Sequence, residues 1–280
     1  MDSTPQDAKA QRRVGGIPLR AFVPNAVTAM ALCCGLSAVR AALEATGVET
    51  SVGGTATEIA AAWGIAVLLI VGAGVLDGVD GRIARLLKAN TRFGAELDSL
   101  SDVIAFGVAP ATILYLWSLT DAPKFGWTAA LSLTVCCALR LARFNANIDV
   151  AEQPHKSAGF NTGVPAPVGA GLAMLPMYLW LVTDLELFRQ WWLVMPWVLF
   201  VATLMIANVA TFNWSSLRPR REWRLFAIAG VGLFGAAAVT APFQTLIGVC
   251  AVYLGLIPFS IASYMKVRRA RVAAGAPAQG

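Results

Sequence analysis

The sequence is poor in charge. Asp, Glu, Lys and Arg together make up 14% of its 280 residues, against roughly 25% in an average soluble domain, so a water-soluble fold of this length is not expected. Histidine is nearly absent: His155 stands alone, which leaves a zinc site built on paired imidazoles without ligands and makes a loop residue the natural reading. Cysteine is scarce, and Cys33, Cys34, Cys136, Cys137 and Cys250 all fall inside apolar stretches. Adjacent residues there point to different faces of a helix, so packing thiols are expected in preference to disulfides or metal ligands. Internal repeats, low-complexity blocks and long linkers are missing too, and with them any sign of a second domain.

Apolar sequence fills the chain instead, 57% of it. Runs of about 20 residues, enough for a helix to cross ~30 Å of hydrocarbon, recur at 24–43, 59–76, 97–120, 126–144, 163–182, 191–209, 225–241 and 245–264. The pattern predicts an all-α, polytopic transmembrane bundle of about eight spans. The first run is too long for the core of a cleaved signal and is expected to stay as an anchor.

Basic residues give the direction. Lys9, Arg12, Arg13 and Arg20 precede the first span, and Arg82, Arg85, Lys88 and Arg92 follow the second. Arg140, Arg143 and Lys156 flank the fourth, Arg218, Arg220, Arg221 and Arg224 the sixth, and Lys266, Arg268, Arg269 and Arg271 the last. The alternate loops hold only Lys124 and Arg189. Cationic loops resist translocation, so both termini are expected in the cytoplasm. Arg40, near the outer end of the first span, reads as a snorkelling anchor. The net charge of +6 gathers on the cytoplasmic face, where anionic headgroups account for it; no nucleic acid is implied. The expected division is a cytoplasmic segment over 1–23, a six-span membrane domain over 24–215, two further spans over 216–264 and a cytoplasmic tail over 265–280.

Against this background four acids stand out. Asp77 and Asp80 close the second apolar run, and Asp98 and Asp102 open the third. Spacings of three and four put each pair on one helix face, within about 60°. Were the two helices neighbours in an antiparallel hairpin, four carboxylates would converge at the cytoplasmic headgroup level, where like charges repel strongly. Hard divalent cations, Mg²⁺ or Mn²⁺, resolve that conflict. Gly81 lets a phosphate approach the backbone, and Arg85, with Arg82, Lys88 and Arg92 nearby, supplies cations for its oxygens. Taken singly, each Asp is equally a solvated helix cap and each Arg equally a topology signal.

The set is more specific than its members. Asp77-Gly-Val-Asp80-Gly81-Arg-Ile-Ala84-Arg85, then Gly94, Asp98 and Asp102, fits D-x2-D-G-x2-A-R-x8-G-x3-D-x3-D at every position, and the chain thereby resembles the CDP-alcohol phosphotransferase family. The resemblance implies two bound metal ions, with Asp77, Asp80, Asp98 and Asp102 as ligands and Asp102 also as the base that activates the acceptor hydroxyl. It implies that Gly81, Arg85 and Thr91 contact the CDP-linked donor, as do Asn25 and Thr28 of Pro24-Asn25-Ala-Val-Thr28. Three stretches resemble the bacterial phosphatidylserine synthase branch: 93–110, Ala138-Leu-Arg140-Leu-Ala-Arg143-Phe-Asn145, and Gly163-Val-Pro165-Ala-Pro167. Ser99 stands where phosphatidylglycerophosphate synthases typically carry Pro.

That resemblance implies CDP-diacylglycerol and L-serine as substrates, membrane lipids and a second copy of the chain as partners, and a bacterial inner membrane location with the site facing the cytoplasm. Arg140, Arg143 and Asn145 are then candidate acceptor contacts, a cation there suiting a carboxylate; the two Arg are equally positive-inside flanks. The same chemistry on choline, glycerol 3-phosphate or inositol phosphate is the alternative, and an ion-coupled transporter a remote one, since transporters place acids near the midplane and repeat their halves.

Overall fold

The computed structural model describes residues 19–51, 53–89, 91–146, 160–162, 164–207, 210–212 and 224–273. His155, Lys156, Gly163 and the basic cluster Arg218, Arg220 and Arg221 lie outside the described residues. The helices are α1 (Leu19–Thr50), α2 (Ala56–Leu86), α3 (Arg92–Asp102), α4 (Ala109–Trp117), α5 (Gly126–Ala146), α6 (Ala166–Ala173), α7 (Leu175–Thr183), α8 (Trp191–Ile206), α9 (Arg224–Thr240) and α10 (Pro242–Ala273). Between α3 and α4 the chain winds as a wider π-helical turn, Val103–Val108. A short antiparallel ribbon, β1 (Phe160–Thr162) with β2 (Ala210–Phe212), sets Phe160 opposite Phe212; nothing in the hydropathy pattern announces it.

Four helical stretches are long and apolar enough to cross a membrane: Phe22–Thr50, Ala56–Leu86, Arg92–Trp117 and Gly126–Ala146. The pair α6 and α7, bent by 43°, makes a fifth if counted as one span, and Trp191–Ile206, Ala229–Thr240 and Pro242–Ile257 are shorter apolar helices. A helix thus stands at each predicted run, but by length and composition only four or five of them qualify as spans.

The α1–α2 hairpin is the foundation of the bundle. Its reversal is stopped by a capping box: the Glu58 amide donates to Thr55 Oγ1 at 3.3 Å and the Thr55 amide donates to Glu58 Oε2 at 2.9 Å, which satisfies two otherwise orphaned donors. Ala38, Ala41, Ala42 and Ala45 of α1 are buried with Trp63, Ala66, Val67, Ile70 and Ala73 of α2, and small residues let two helices approach where no hydrophobic force joins them.

The 43° bend has a cause in the sequence. Pro176 has no amide hydrogen to give Leu172, four residues back, and the Leu172 carbonyl instead accepts from Trp197 Nε1 of α8 at 2.8 Å. In a membrane such a freed carbonyl must find a partner inside the protein. The last helix joins the bundle through Phe243, which lies against Gly64 of α2, and Cys250, whose thiol donates to the Gly171 carbonyl at 3.6 Å. All five cysteines are free thiols.

Candidate active site

The turn from α2 to α3 brings the four aspartates together. Lys88 adopts a positive φ of 48°, a left-handed conformation that reverses the chain tightly, and Thr91 caps α3 by accepting the Gly94 amide on Oγ1 at 3.0 Å. Asp77 on α2 then faces Asp98 and Asp102 on α3, and one carboxylate oxygen from each lies within 4.8 Å of the other two. Asp80 stands beside this triad. Its carboxylate is buried, 5% exposed, and takes a 2.6 Å hydrogen bond from Thr28 Oγ1 of α1, an oxygen also 3.1 Å from the Pro24 carbonyl. Ser101 Oγ, between the two α3 aspartates, donates to the Thr28 carbonyl at 3.3 Å. Thr28 therefore ties α1 to both acidic helices.

Next to the aspartates opens a cavity of about 220 Å³ lined by Asn25, Thr28, Asp80, Gly81, Thr91 and Asp98, with Pro24, Ala84, Ala89, Gly94 and Ala95 completing its walls. Four of the five residues that the resemblance assigned to the donor, Asn25, Thr28, Gly81 and Thr91, share this wall. The fifth, Arg85, is exposed one turn beyond Gly81 on α2 and does not line it. A Cβ built on Gly81 would meet no protein atom within 4 Å, so the space over its backbone belongs to the cavity. Gly94 is different: a Cβ there would come within 2.9 Å of Asn25 Oδ1 and 3.1 Å of Thr91 Oγ1. Asn25 is packed so closely that its Nδ2 is buried with no hydrogen-bond partner. A buried, unsatisfied donor costs about 1–3 kcal/mol, and a polar acceptor from a ligand is its natural complement.

The three residues assigned to the acceptor lie on α5. Arg140 is within electrostatic range of Asp102 and keeps its Nε buried without a hydrogen-bond partner. Arg143 follows one turn later, half-buried. Asn145 Nδ2 donates to Ser99 Oγ of α3 at 2.8 Å, which makes it a tie between helices first. Two neighbours of the site were given no role from the sequence. Ser101 could have been found there as the hydroxyl residue between Asp98 and Asp102. Tyr253 of α10, within electrostatic range of Arg140, gave no signal, being a lone Tyr in an apolar run.

The donor set suits a hard divalent cation: three carboxylates converge, with Asp80 beside them. Among the described residues the ion pairs are Arg40–Glu44 and Arg189–Glu49, neither of which touches an aspartate of the triad; Arg140 is the cation that acts on Asp102 electrostatically. An acidic triad able to hold a divalent cation, beside a cavity at the end of apolar helices, is the arrangement a membrane-embedded phosphotransferase would use. The model of the CDP-alcohol phosphatidyltransferase family matches residues 21–207, and that of CDP-alcohol phosphatidyltransferase 2 matches residues 222–258. The chain belongs to the CDP-alcohol phosphatidyltransferase family. Among its relatives, the CDP-diacylglycerol–serine O-phosphatidyltransferase of Mycobacterium leprae is 35% identical over 240 residues, 86% of this chain and 74% of that one. The protein of the same name from Mycobacterium tuberculosis H37Rv is 34% identical over 86% of this chain and 79% of its own, and that of Helicobacter pylori 26695 is 31% identical over 67% and 74%.

Proposed function

We propose that the protein transfers a phosphatidyl group from CDP-diacylglycerol to the hydroxyl of L-serine, giving phosphatidylserine and CMP. The observation that carries this reading is the convergence of Asp77, Asp98 and Asp102 beside the cavity that Asn25, Thr28, Gly81 and Thr91 line; the serine-specific names of its relatives support the choice of acceptor. In this reading the cavity takes the CDP head while the acyl chains stay in lipid. Asn25 Nδ2 donates to the head group, the open backbone at Gly81 admits the diphosphate, and Arg85 reaches its oxygens from the rim. Arg140 and Arg143 hold the serine carboxylate. Asp102 accepts the proton of the serine hydroxyl, the oxygen attacks the β-phosphorus in line, and the bond to the CMP oxygen breaks. Asp77, Asp80, Asp98 and Asp102 would hold two divalent ions, Mg²⁺ or Mn²⁺, which when bound supply neutralisation of the diphosphate charge.

The same reading holds that all eight apolar runs span a bacterial inner membrane, that both termini and the aspartates face the cytoplasm, and that the enzyme works as a homodimer. It assigns catalysis to 24–215 and leaves 216–264 as two added spans. The test is to incubate purified enzyme and CDP-diacylglycerol with labelled serine, choline, glycerol 3-phosphate and inositol phosphate in turn. Label is expected to enter lipid from serine alone and to stop in excess chelator; transfer to another acceptor, or full activity under chelation, contradicts the reading.

A further inference from the structure

The chain leaves ordinary α-helical winding at the residue after the proposed base. Through Val103–Val108 it widens to π geometry, and the Ala109 amide donates to the Ile104 carbonyl five residues back. The cause lies one turn ahead. Pro110 has no amide hydrogen for the Phe106 carbonyl, and in a regular helix its ring would collide with that group; a widened turn is one of the few relaxations available inside a membrane helix. Hydroxyls complete the pattern: Thr112 Oγ1 donates to the Val108 carbonyl at 2.9 Å, and Thr134 Oγ1 of α5 donates to the Gly107 carbonyl at 3.3 Å. The close fit there needs a glycine, since a Cβ on Gly107 would come within 3.2 Å of Cys137 Cβ.

Each residue of an α-helix turns about 100°, so an added residue between α3 and α4 rotates one relative to the other by roughly that angle. On one side lie Asp98, Ser101 and Asp102, directed at α1 and α2. On the other lie Ala109, Pro110, Ile113 and Leu114, buried in the core. The turn absorbs the difference in phase. One stripe of α5 then meets the whole segment: Thr134 and Cys137 at Gly107, Arg140 near Asp102, and Asn145 at Ser99.

We propose that this wide turn is the device that aims Asp102 at the other aspartates, and that Thr134 is the positioning residue that holds it through the Gly107 carbonyl. The proposal rests on the reading of Asp102 as the base. The test compares Thr134→Val, which removes the hydroxyl at nearly constant shape, with Thr134→Ser, which restores it, in the full-length enzyme. Turnover, KM for CDP-diacylglycerol and CMP affinity are measured for each. Thr134→Val is expected to lower kcat about tenfold while donor KM and CMP affinity stay within about twofold, and Thr134→Ser to recover most of the loss. Wild-type kcat in Thr134→Val overturns the proposal. So does a loss that Ser leaves unrepaired or that falls equally on CMP binding. Asp102→Asn, run in parallel, separates the two claims: retained transfer there sinks the base assignment, whereas an inactive Asp102→Asn beside a fully active Thr134→Val sinks only the positioning role of the turn.

Discussion

Two glycines that line the cavity illustrate how residue size is used here, and they give contrasting expectations. Gly81 faces open space and Gly94 faces Asn25 Oδ1 and Thr91 Oγ1. Gly81→Ala should therefore fold normally and raise the KM for CDP-diacylglycerol about tenfold or more, because the added methyl competes with the ligand and not with the protein. Gly94→Ala should lower both donor affinity and thermal stability, since Asn25 and the Thr91 cap must give way. Measuring both quantities for both variants checks the assignment; equal behaviour would contradict it. The aspartates were legible in the sequence because charge is so rare in it and their spacing fits two helix faces, Gly81 because it directly follows Asp80, and Gly94 only through the family resemblance. What spacing could not supply was the inequality among the acids: Asp80 is taken up by Thr28 from α1, 52 residues away in sequence, while the other three converge. Asn145 likewise proved to be bonded to Ser99, a partner that no local pattern identifies.

At the level of whole elements, the far end of the bundle is closed by side chains. Arg189, in the short 3₁₀ turn Glu186–Arg189, pairs with Glu49 at the end of α1, and its Nε donates to the Trp117 carbonyl of α4 at 2.8 Å. Its own carbonyl accepts from Ser118 at 2.6 Å, its guanidinium lies 5.7 Å from the Trp180 ring, and Trp63 Nε1 donates to Glu49 at 3.4 Å. Counted in the sequence as a stray outer cation, Arg189 is the clasp of that end. Arg189→Gln should cost about 2 kcal/mol of stability, because Glu49 is left partly buried and unpaired, while kcat per folded molecule is unchanged, Trp63 and Asp77 being about 21 Å apart along α2. A denaturation midpoint equal to that of the parent would contradict this. Helix positions followed from the apolar runs, as the 20-residue period of a bilayer requires. The breaks did not, although Pro176 and Pro110 were there to signal them, because periodicity averages over a single proline.

For the molecule as a whole, orientation and chemistry have to agree. In the proposed topology, which follows the alternation of basic loops, the aspartate end faces the cytoplasm, where CMP and serine are soluble. Cysteines introduced at Lys88 and at Ser51, both exposed, should react with an impermeant reagent from the cytoplasmic and the outer side respectively; labelling of both from one side would contradict the proposed topology. Eight signature residues carry the resemblance to the donor chemistry, whereas the proposed acceptor contacts come from α5, which reaches the aspartate helix through Asn145 and Ser99, a long-range pairing that a signature does not encode. The most direct test of the account measures phosphatidylserine formation, CMP release and CMP binding on one preparation of the full-length protein and on its Asp102→Asn variant, at saturating Mg²⁺ or Mn²⁺. The parent should form one phosphatidylserine per CMP released, and the variant should bind CMP while losing transfer by on the order of 10²-fold or more. Substantial serine transfer by Asp102→Asn, or CMP release without phosphatidylserine in the parent, would contradict it.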